Sequence, residues 1–161
     1  MTPQAIHQQL VQLNQIMDTH PLESQAYREA FEQYDQLLFG YVTMRDVSLI
    51  KDYLPQPIPA DTIALMIATV MNHRPITDVI NVPALIQCAL LVRWGRKQKG
   101  LTQVALAEQM EMTQSQIAKI ESAANGVTAE VMGKLAKILD VTFTISPTDP
   151  LPAKTFPKKA S

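Results

Sequence analysis

Two short amphipathic segments, separated by a brief break, constrain the fold of this chain more than any other feature. The stretch LTQVALAEQMEMTQSQIAKIE, residues 101–121, carries apolar residues at helical spacing, breaks, and resumes on the polar cluster TQSQ. Thr102 is placed to cap the first segment, and Thr113 with Gln116 forms a T-x-x-Q capping box before the second. The pattern predicts two short helices that cross steeply over a shared apolar corner. The apolar positions are Leu106, Ala107, Met110, Met112, Ile117 and Ile120.

A longer helix is predicted on each side of this pair. PALIQCALLVRWGRKQKG begins with Pro83 in a position suited to a first helical turn and ends at Gly100, which suits a helix C-cap. Basic residues crowd its last turns, where they complement the helix dipole and would equally suit a phosphate backbone. After the pair, Thr128 is placed to cap a closing helix. Its apolar stripe comprises Val131, Met132, Leu135 and Ile138.

The segment from about Leu90 to Val141 resembles the helix-turn-helix domain of the phage lambda repressor, Cro and Xre family. The resemblance rests on RKQKGLTQVALAEQM, TQSQIAKIE and NGVTAEVMGKLAKILDV, which occur in the order that the family shows. It implies a mainly α fold, in which a helical N-terminal region precedes a five-helix lambda-repressor-like domain with a short C-terminal β-strand. Some domains of this type bind proteins instead of DNA, so the resemblance is more specific for fold than for partner.

The same resemblance implies a set of DNA-binding residues. In this family the second helix of the pair lies in the major groove with its N-terminal residues at the base edges. Gln114 is then implied to pair bidentately with an adenine, Ser115 to contact a base or methyl group, and Lys119 to contact a guanine or a phosphate. Gln103 resembles the residue that fixes a phosphate and supports the reading side chain. The other implied contacts are Thr113, Gln116, Arg96 and Lys97, with Gln116 ranked lowest because the capping box uses its side chain.

Two features depart from the family pattern. Glu111 occupies the turn where family members usually have glycine, so a residue with a side chain is expected to hold a left-handed conformation there, at a cost of roughly 1 kcal/mol. Its carboxylate would also repel phosphate. The basic excess is modest as well, so binding is expected to need two copies, which doubles the phosphate contacts.

A strand is predicted after the closing helix. VTFTI, Val141–Ile145, alternates apolar residues with threonine, which is typical of a half-buried strand. The resemblance extends to antitoxins of the HipB or HigA type, and in HipB-like antitoxins such a strand pairs with its copy across a two-fold axis. The alternative is that the strand packs back on its own domain. The remaining residues, 147–161, are rich in proline and lysine and are expected to form a flexible tail.

Charge separates the two halves of the chain. Residues 1–82 hold four Lys/Arg against nine Asp/Glu, a net charge of −5, whereas residues 83–161 hold ten against six, a net charge of +4. Such a division fits a chain in which one part meets a polyanion, although ordinary surface charge can also sort unevenly. We expect a helical region at 1–80 for protein interaction or dimerisation, a DNA-binding domain at 81–146 and the tail at 147–161.

These observations predict a sequence-specific regulator that binds double-stranded DNA as a homodimer. A repressor is the favoured form, and an antitoxin whose acidic N-terminal region binds a cognate toxin protein is a further interpretation. The acidic residues suited to a basic partner are Glu23, Glu29, Glu32, Asp35, Asp46 and Asp52. Two alternatives stay open: a helical module that binds proteins and no DNA, and a stand-alone phage-type regulator without a toxin.

Catalysis, cofactors and membrane association find no support in the sequence. His7, His20 and His73 are scattered without metal-ligand spacing, and no nucleophile elbow or phosphate-binding glycine loop is present. No apolar run is long enough to span a bilayer, and the first residues lack the pattern of a signal peptide. We therefore expect a cytoplasmic protein that is not an enzyme and needs no cofactor or metal. Cys88 lies among apolar residues and is expected to serve as a small core residue.

Overall fold

The computed structural model describes residues 1–143, and within them the chain is mainly α-helical, as predicted. The helices are α1 Pro3–Thr19, α2 Gln25–Phe39, α3 Met44–Ile50, α4 Ala60–Met71, α5 Ala84–Gln98, α6 Gln103–Met110, α7 Gln114–Glu121 and α8 Ala129–Leu139. Two single 3₁₀ turns, Lys51–Tyr53 and Ile76–Asp78, follow α3 and α4. None of the helices in this part of the chain is long and apolar enough to cross a membrane.

The chain divides into two compact units, Met1–Ile80 and Asn81–Ser161, here called unit 1 and unit 2. In unit 1, helix α1 packs against both α2 and α4. Thr2 caps α1 by accepting a hydrogen bond from the Ala5 backbone N–H, and Pro3 occupies the first turn, where its missing N–H costs nothing. The fully buried side chains of Ile6 and Leu10 bring the inner face of α1 into the core of this unit.

Unit 2 is built around the crossing of α6 and α7. Helix α5 packs against α7 and α8, and α8 also contacts α6. A threonine N-cap precedes each of the last three helices: the hydroxyls of Thr102, Thr113 and Thr128 each accept a hydrogen bond from the backbone N–H three residues on. The shared core includes the buried Cys88 and six of the ten predicted apolar positions, whereas Met112, Val131, Met132 and Ile138 pack against it partly buried. Its buried members are Cys88, Val92, Leu106, Ala107, Met110, Ile117, Ile120, Leu135 and Leu139.

The prediction of five helices in this domain is not confirmed, because the described part of unit 2 contains four. The chain leaves helical geometry after Glu121, where Ala123 has a left-handed φ of 58°. The next helix does not begin until the cap at Thr128. The seven residues 122–128 between these points form a loop, with exposed Asn125 and Gly126 at its centre.

The predicted strand at Val141–Ile145 is not confirmed either. Val141–Phe143 adopt no strand conformation, and Thr144, Ile145 and the predicted tail at 147–161 lie outside the described residues. Asp140 takes a left-handed conformation with φ 54°, and the Val141 backbone N–H donates to the carbonyl of Ala136. This helix ending turns the chain, and the side chains of Val141 and Phe143 pack partly buried against the core of unit 2.

Candidate nucleic-acid interface

The start of α7 presents a polar surface on an apolar support. Ile117 and Ile120 are buried on the inner face, whereas Gln114 and Ser115 are exposed at the opposite side of the first turn, and Lys119 is exposed one turn further on. This division arises because residues three and four apart share one face of a helix. The predicted reading residues therefore lie together on one exposed surface, here called the α7 face, consisting of Gln114, Ser115 and Lys119.

A hydrogen bond holds the leading residue of the α7 face. The side-chain amide nitrogen of Gln114 donates to Oε1 of Gln103 at 2.9 Å, which ties the first turn of α7 to the first turn of α6. Gln103 in turn donates from Nε2 to Oε2 of Glu121 at 2.6 Å. Both ends of the Gln103 amide are thus engaged by residues of α7, and Gln114 is held in turn by Gln103 on α6.

The anchor of this chain of bonds is a buried ion pair. Arg96 donates from Nε to Oε1 of Glu121 at 2.5 Å and from Nη2 to Oε2 at 3.1 Å. The side chains are 13% and 2% exposed, and a third bond runs from Arg96 Nη1 to the carbonyl of Leu101 at 2.9 Å. Bidentate geometry of this kind is the strong form of the Arg–carboxylate bond. It connects the end of α5, the turn before α6 and the end of α7.

The role of Glu121 in this network was not predicted from the sequence. A signal was present, because Glu121 follows Ile117 by four residues and so continues the buried stripe of α7. An acid at such a position calls for a cationic partner, since an unpaired buried charge is costly. Arg96, which was predicted as a DNA contact, is that partner, and its guanidinium is occupied by Glu121 and Leu101. Lys97, the other predicted contact on α5, is exposed.

Thr113 and Gln116 form the predicted capping box. The Gln116 N–H donates to Thr113 Oγ1 at 3.1 Å, and the Thr113 N–H donates to Gln116 Oε1 at 2.8 Å. Each side chain thereby satisfies one backbone donor that the helix leaves unpaired. The carboxamide oxygen of Gln116 is used in this cap. Gln114 is therefore the main residue at the start of α7 whose side-chain amide faces outward.

The turn between α6 and α7 has the conformation expected at Glu111. This residue is left-handed, with φ 56° and ψ 39°, and its side chain is exposed. The following N–H, of Met112, donates to the carbonyl of Ala107 at 2.9 Å and closes the end of α6. The left-handed turn that joins the two crossing helices therefore forms with glutamate in place of glycine.

Comparison with protein families identifies residues 92–145 as a match to the helix-turn-helix family. The match covers the end of α5 and all of α6, α7 and α8, and so includes the Arg96–Glu121 pair and the α7 face. It supports a DNA-binding regulator. Comparisons with curated proteins and with solved structures gave no match.

Proposed function

We propose that unit 2 binds double-stranded DNA in a sequence-specific manner, with the N-terminal turn of α7 in the major groove, and that the protein is a transcriptional repressor. The hydrogen bond between Gln114 and Gln103 carries this proposal. A glutamine that reads adenine must present both its oxygen and its nitrogen in one plane. A partner that already holds the amide reduces the side-chain entropy lost on binding.

The residues of this interface have distinct roles in this proposal. Gln114 contacts an adenine, Ser115 a neighbouring base edge or methyl group, and Lys119 a guanine or a phosphate. Gln103 and Lys97 lie against the phosphate backbone, where contacts set the position of the protein and carry no sequence information. Arg96 was predicted to contact phosphate, but its charge is neutralised by Glu121 inside unit 2. We therefore assign it the role of holding Glu121, which in turn binds Gln103.

Binding as a homodimer is part of the proposal. Once Arg96 is paired, the exposed charges of the described part of unit 2 nearly balance, and few phosphates can be neutralised by one copy. Two copies double those contacts and predict half-sites about one helical turn apart, roughly 34–36 Å. The exposed cations are Lys97, Lys99, Lys119, Lys134 and Lys137, and the exposed acids are Glu108, Glu111, Glu130 and Asp140.

Selection of bound duplexes from a random library tests the reading helix. The wild-type protein should enrich a palindromic sequence, and Gln114→Ala should lose about 1–3 kcal/mol on that site with relaxed preference at one base pair. Gln109→Ala is the matched control, because Gln109 is an exposed glutamine on α6 outside the α7 face. Enrichment of no sequence by the wild-type chain, or equal losses for the two variants, would contradict the assignment.

We further propose that unit 1 binds a basic protein, and that this partner is a toxin encoded beside the regulator. The support is the acidic charge of this half and the exposure of Glu29, Glu32 and Asp35 on α2. Co-expression of the full chain with its neighbouring gene product should yield a complex that Glu29→Lys with Glu32→Lys weakens. A complex with unchanged affinity in that variant would place the contact elsewhere, and a neighbour that does not bind would favour a stand-alone regulator.

A protein-binding role for unit 2 is the second candidate. Val104 is 55% exposed in the first turn of α6, directly after Gln103, which is hydrogen-bonded to Gln114. An exposed apolar side chain at this point suits a protein partner as well as a nucleic acid. Salt separates the two roles. Duplex binding must weaken steeply as salt rises because counterions are released, whereas an apolar protein contact is much less sensitive.

A further inference from the structure

We propose that Asn125 is a site of spontaneous deamidation, which converts the loop between α7 and α8 into an acidic one. The deprotonated backbone nitrogen of Gly126 forms a bond to the side-chain carbonyl carbon of Asn125. The C–N bond of the side-chain amide breaks, and its nitrogen takes up a proton and leaves as ammonia. Water then opens the cyclic imide at either carbonyl, which gives aspartate or isoaspartate.

The loop geometry leaves this reaction unhindered. Asn125 and Gly126 are both exposed and both lie outside the helices. No atom lies within 4 Å of the position that a Cβ on Gly126 would occupy, so the backbone at this glycine has open space on that side. Glycine also has the widest choice of backbone conformations, which lets its nitrogen approach the asparagine side chain. Within residues 1–143, no hydrogen bond restrains the Asn125 amide.

The other asparagines of the chain lack this combination. Asn14 lies inside α1, where helical geometry fixes the following backbone nitrogen. The side-chain nitrogen of Asn72 donates to the carbonyl of Ala68 at 2.7 Å. Asn81 is exposed but precedes a buried valine whose branched side chain crowds the approach. Of the four asparagines in the sequence, Asn125 is therefore the one whose surroundings favour deamidation.

Conversion would place a carboxylate next to the α7 face, and this consequence rests on the proposed DNA-binding function. The backbone N–H of Ala124 donates to the carbonyl of Lys119 at 2.9 Å. Asn125 is the next residue after Ala124, and it therefore lies close in the chain to a residue that is bonded to Lys119 of the α7 face. A negative charge there repels phosphate and lies at the negative end of the helix dipole. Ageing of the protein would thus lower its affinity for DNA.

Peptide mass mapping of the full chain tests the chemistry. Cleavage after Lys119 and Lys134 releases a peptide whose sole side-chain amide is Asn125. During incubation of the folded protein at mildly alkaline pH, Asn125 should convert several-fold faster than Asn14, Asn72 or Asn81, and faster still as pH rises. Gly126→Ala should suppress the conversion. A reaction that occurs only in urea-unfolded protein, or at equal rates at all four asparagines, would overturn the proposal.

Duplex binding tests the consequence separately. Asn125→Asp should bind the duplex selected by the wild-type chain several-fold more weakly, and Asn125→Gln should bind it normally. Equal binding of both variants would refute the link to DNA while leaving the mass result intact. If the wild-type chain binds no duplex at all, the proposed function fails, and the deamidation of Asn125 is still decided by the mass measurement.

Discussion

Arg96 and Glu121, which lie 25 residues apart, form a bidentate ion pair with side chains that are 13% and 2% exposed. Removal of one partner would leave a buried charge without compensation, which typically costs about 3–5 kcal/mol. Arg96→Ala and Glu121→Ala should each destabilise unit 2 by about that amount. Unfolding in urea, followed by the fluorescence of Trp94, reports on this unit because Trp94 is the sole tryptophan and lies on α5.

The paired replacement Arg96→Met with Glu121→Leu is the control for this prediction. Apolar residues of similar volume often replace a buried ion pair with little loss or a gain in stability. The double variant should therefore unfold at a higher urea concentration than either single variant. If the two single losses simply add in the double variant, the two side chains are not coupled in the way that their distances indicate.

Gly95 allows a close approach between α5 and the end of the described chain. A Cβ at this position would lie 2.9 Å from Cγ1 of Val141 and 3.1 Å from Cβ of Leu139. Gly95→Ala should destabilise unit 2 by about 1–3 kcal/mol, because the inserted carbon overpacks the contact. Gly133→Ala is the matched control: it lies in α8 with no atom within 4 Å, so it should stabilise by up to about 1 kcal/mol through helix propensity. Opposite signs in thermal unfolding are expected, and equal effects would contradict the packing.

Two substitutions at Glu111 separate backbone strain from charge. Glu111→Gly should stabilise unit 2 by up to about 1 kcal/mol, because glycine holds the left-handed conformation without the steric cost of a Cβ. Glu111→Gln keeps that cost and removes only the charge, so its stability should be unchanged. Both variants should bind duplex DNA more tightly at low salt if the turn faces phosphate. A stability gain in the glutamine variant as large as in the glycine variant would assign the cost to charge instead.

Burial raises the pKa of the Cys88 thiol above its usual range, because the core of unit 2 disfavours the thiolate. The unfolded chain then loses this proton at a lower pH than the folded chain. The contribution of Cys88 to stability is fully present below the unfolded pKa and is lost as pH rises through the folded pKa. A disulfide reagent at neutral pH should modify Cys88 only slowly in the folded protein and rapidly in urea. Rapid modification of the folded protein would show that the thiol is accessible.

Local sequence determined the helices and their starts. Thr102, Thr113 and Thr128 were identified as caps because a cap joins a side chain to a backbone N–H only three residues away. The buried faces of α6 and α7 followed from the spacing of apolar residues within one or two turns. The left-handed turn at Glu111 was expected from the family resemblance, because family members usually have glycine at this position, and Glu111 has that conformation.

Tertiary structure decided which side chains meet. The partnership of Arg96 with Glu121 depends on how α5 crosses α7, and no spacing within one helix encodes a contact between residues so far apart. The position of Val141 was also decided by the tertiary structure. The alternation of apolar residues and threonine at Val141–Ile145 predicted a strand. Asp140 instead ends α8 in a left-handed turn, and the Val141 side chain packs at Gly95. Sequence specifies interactions that one helical turn can span, and the packing of separate helices specifies which polar groups are neutralised inside unit 2 and which remain exposed.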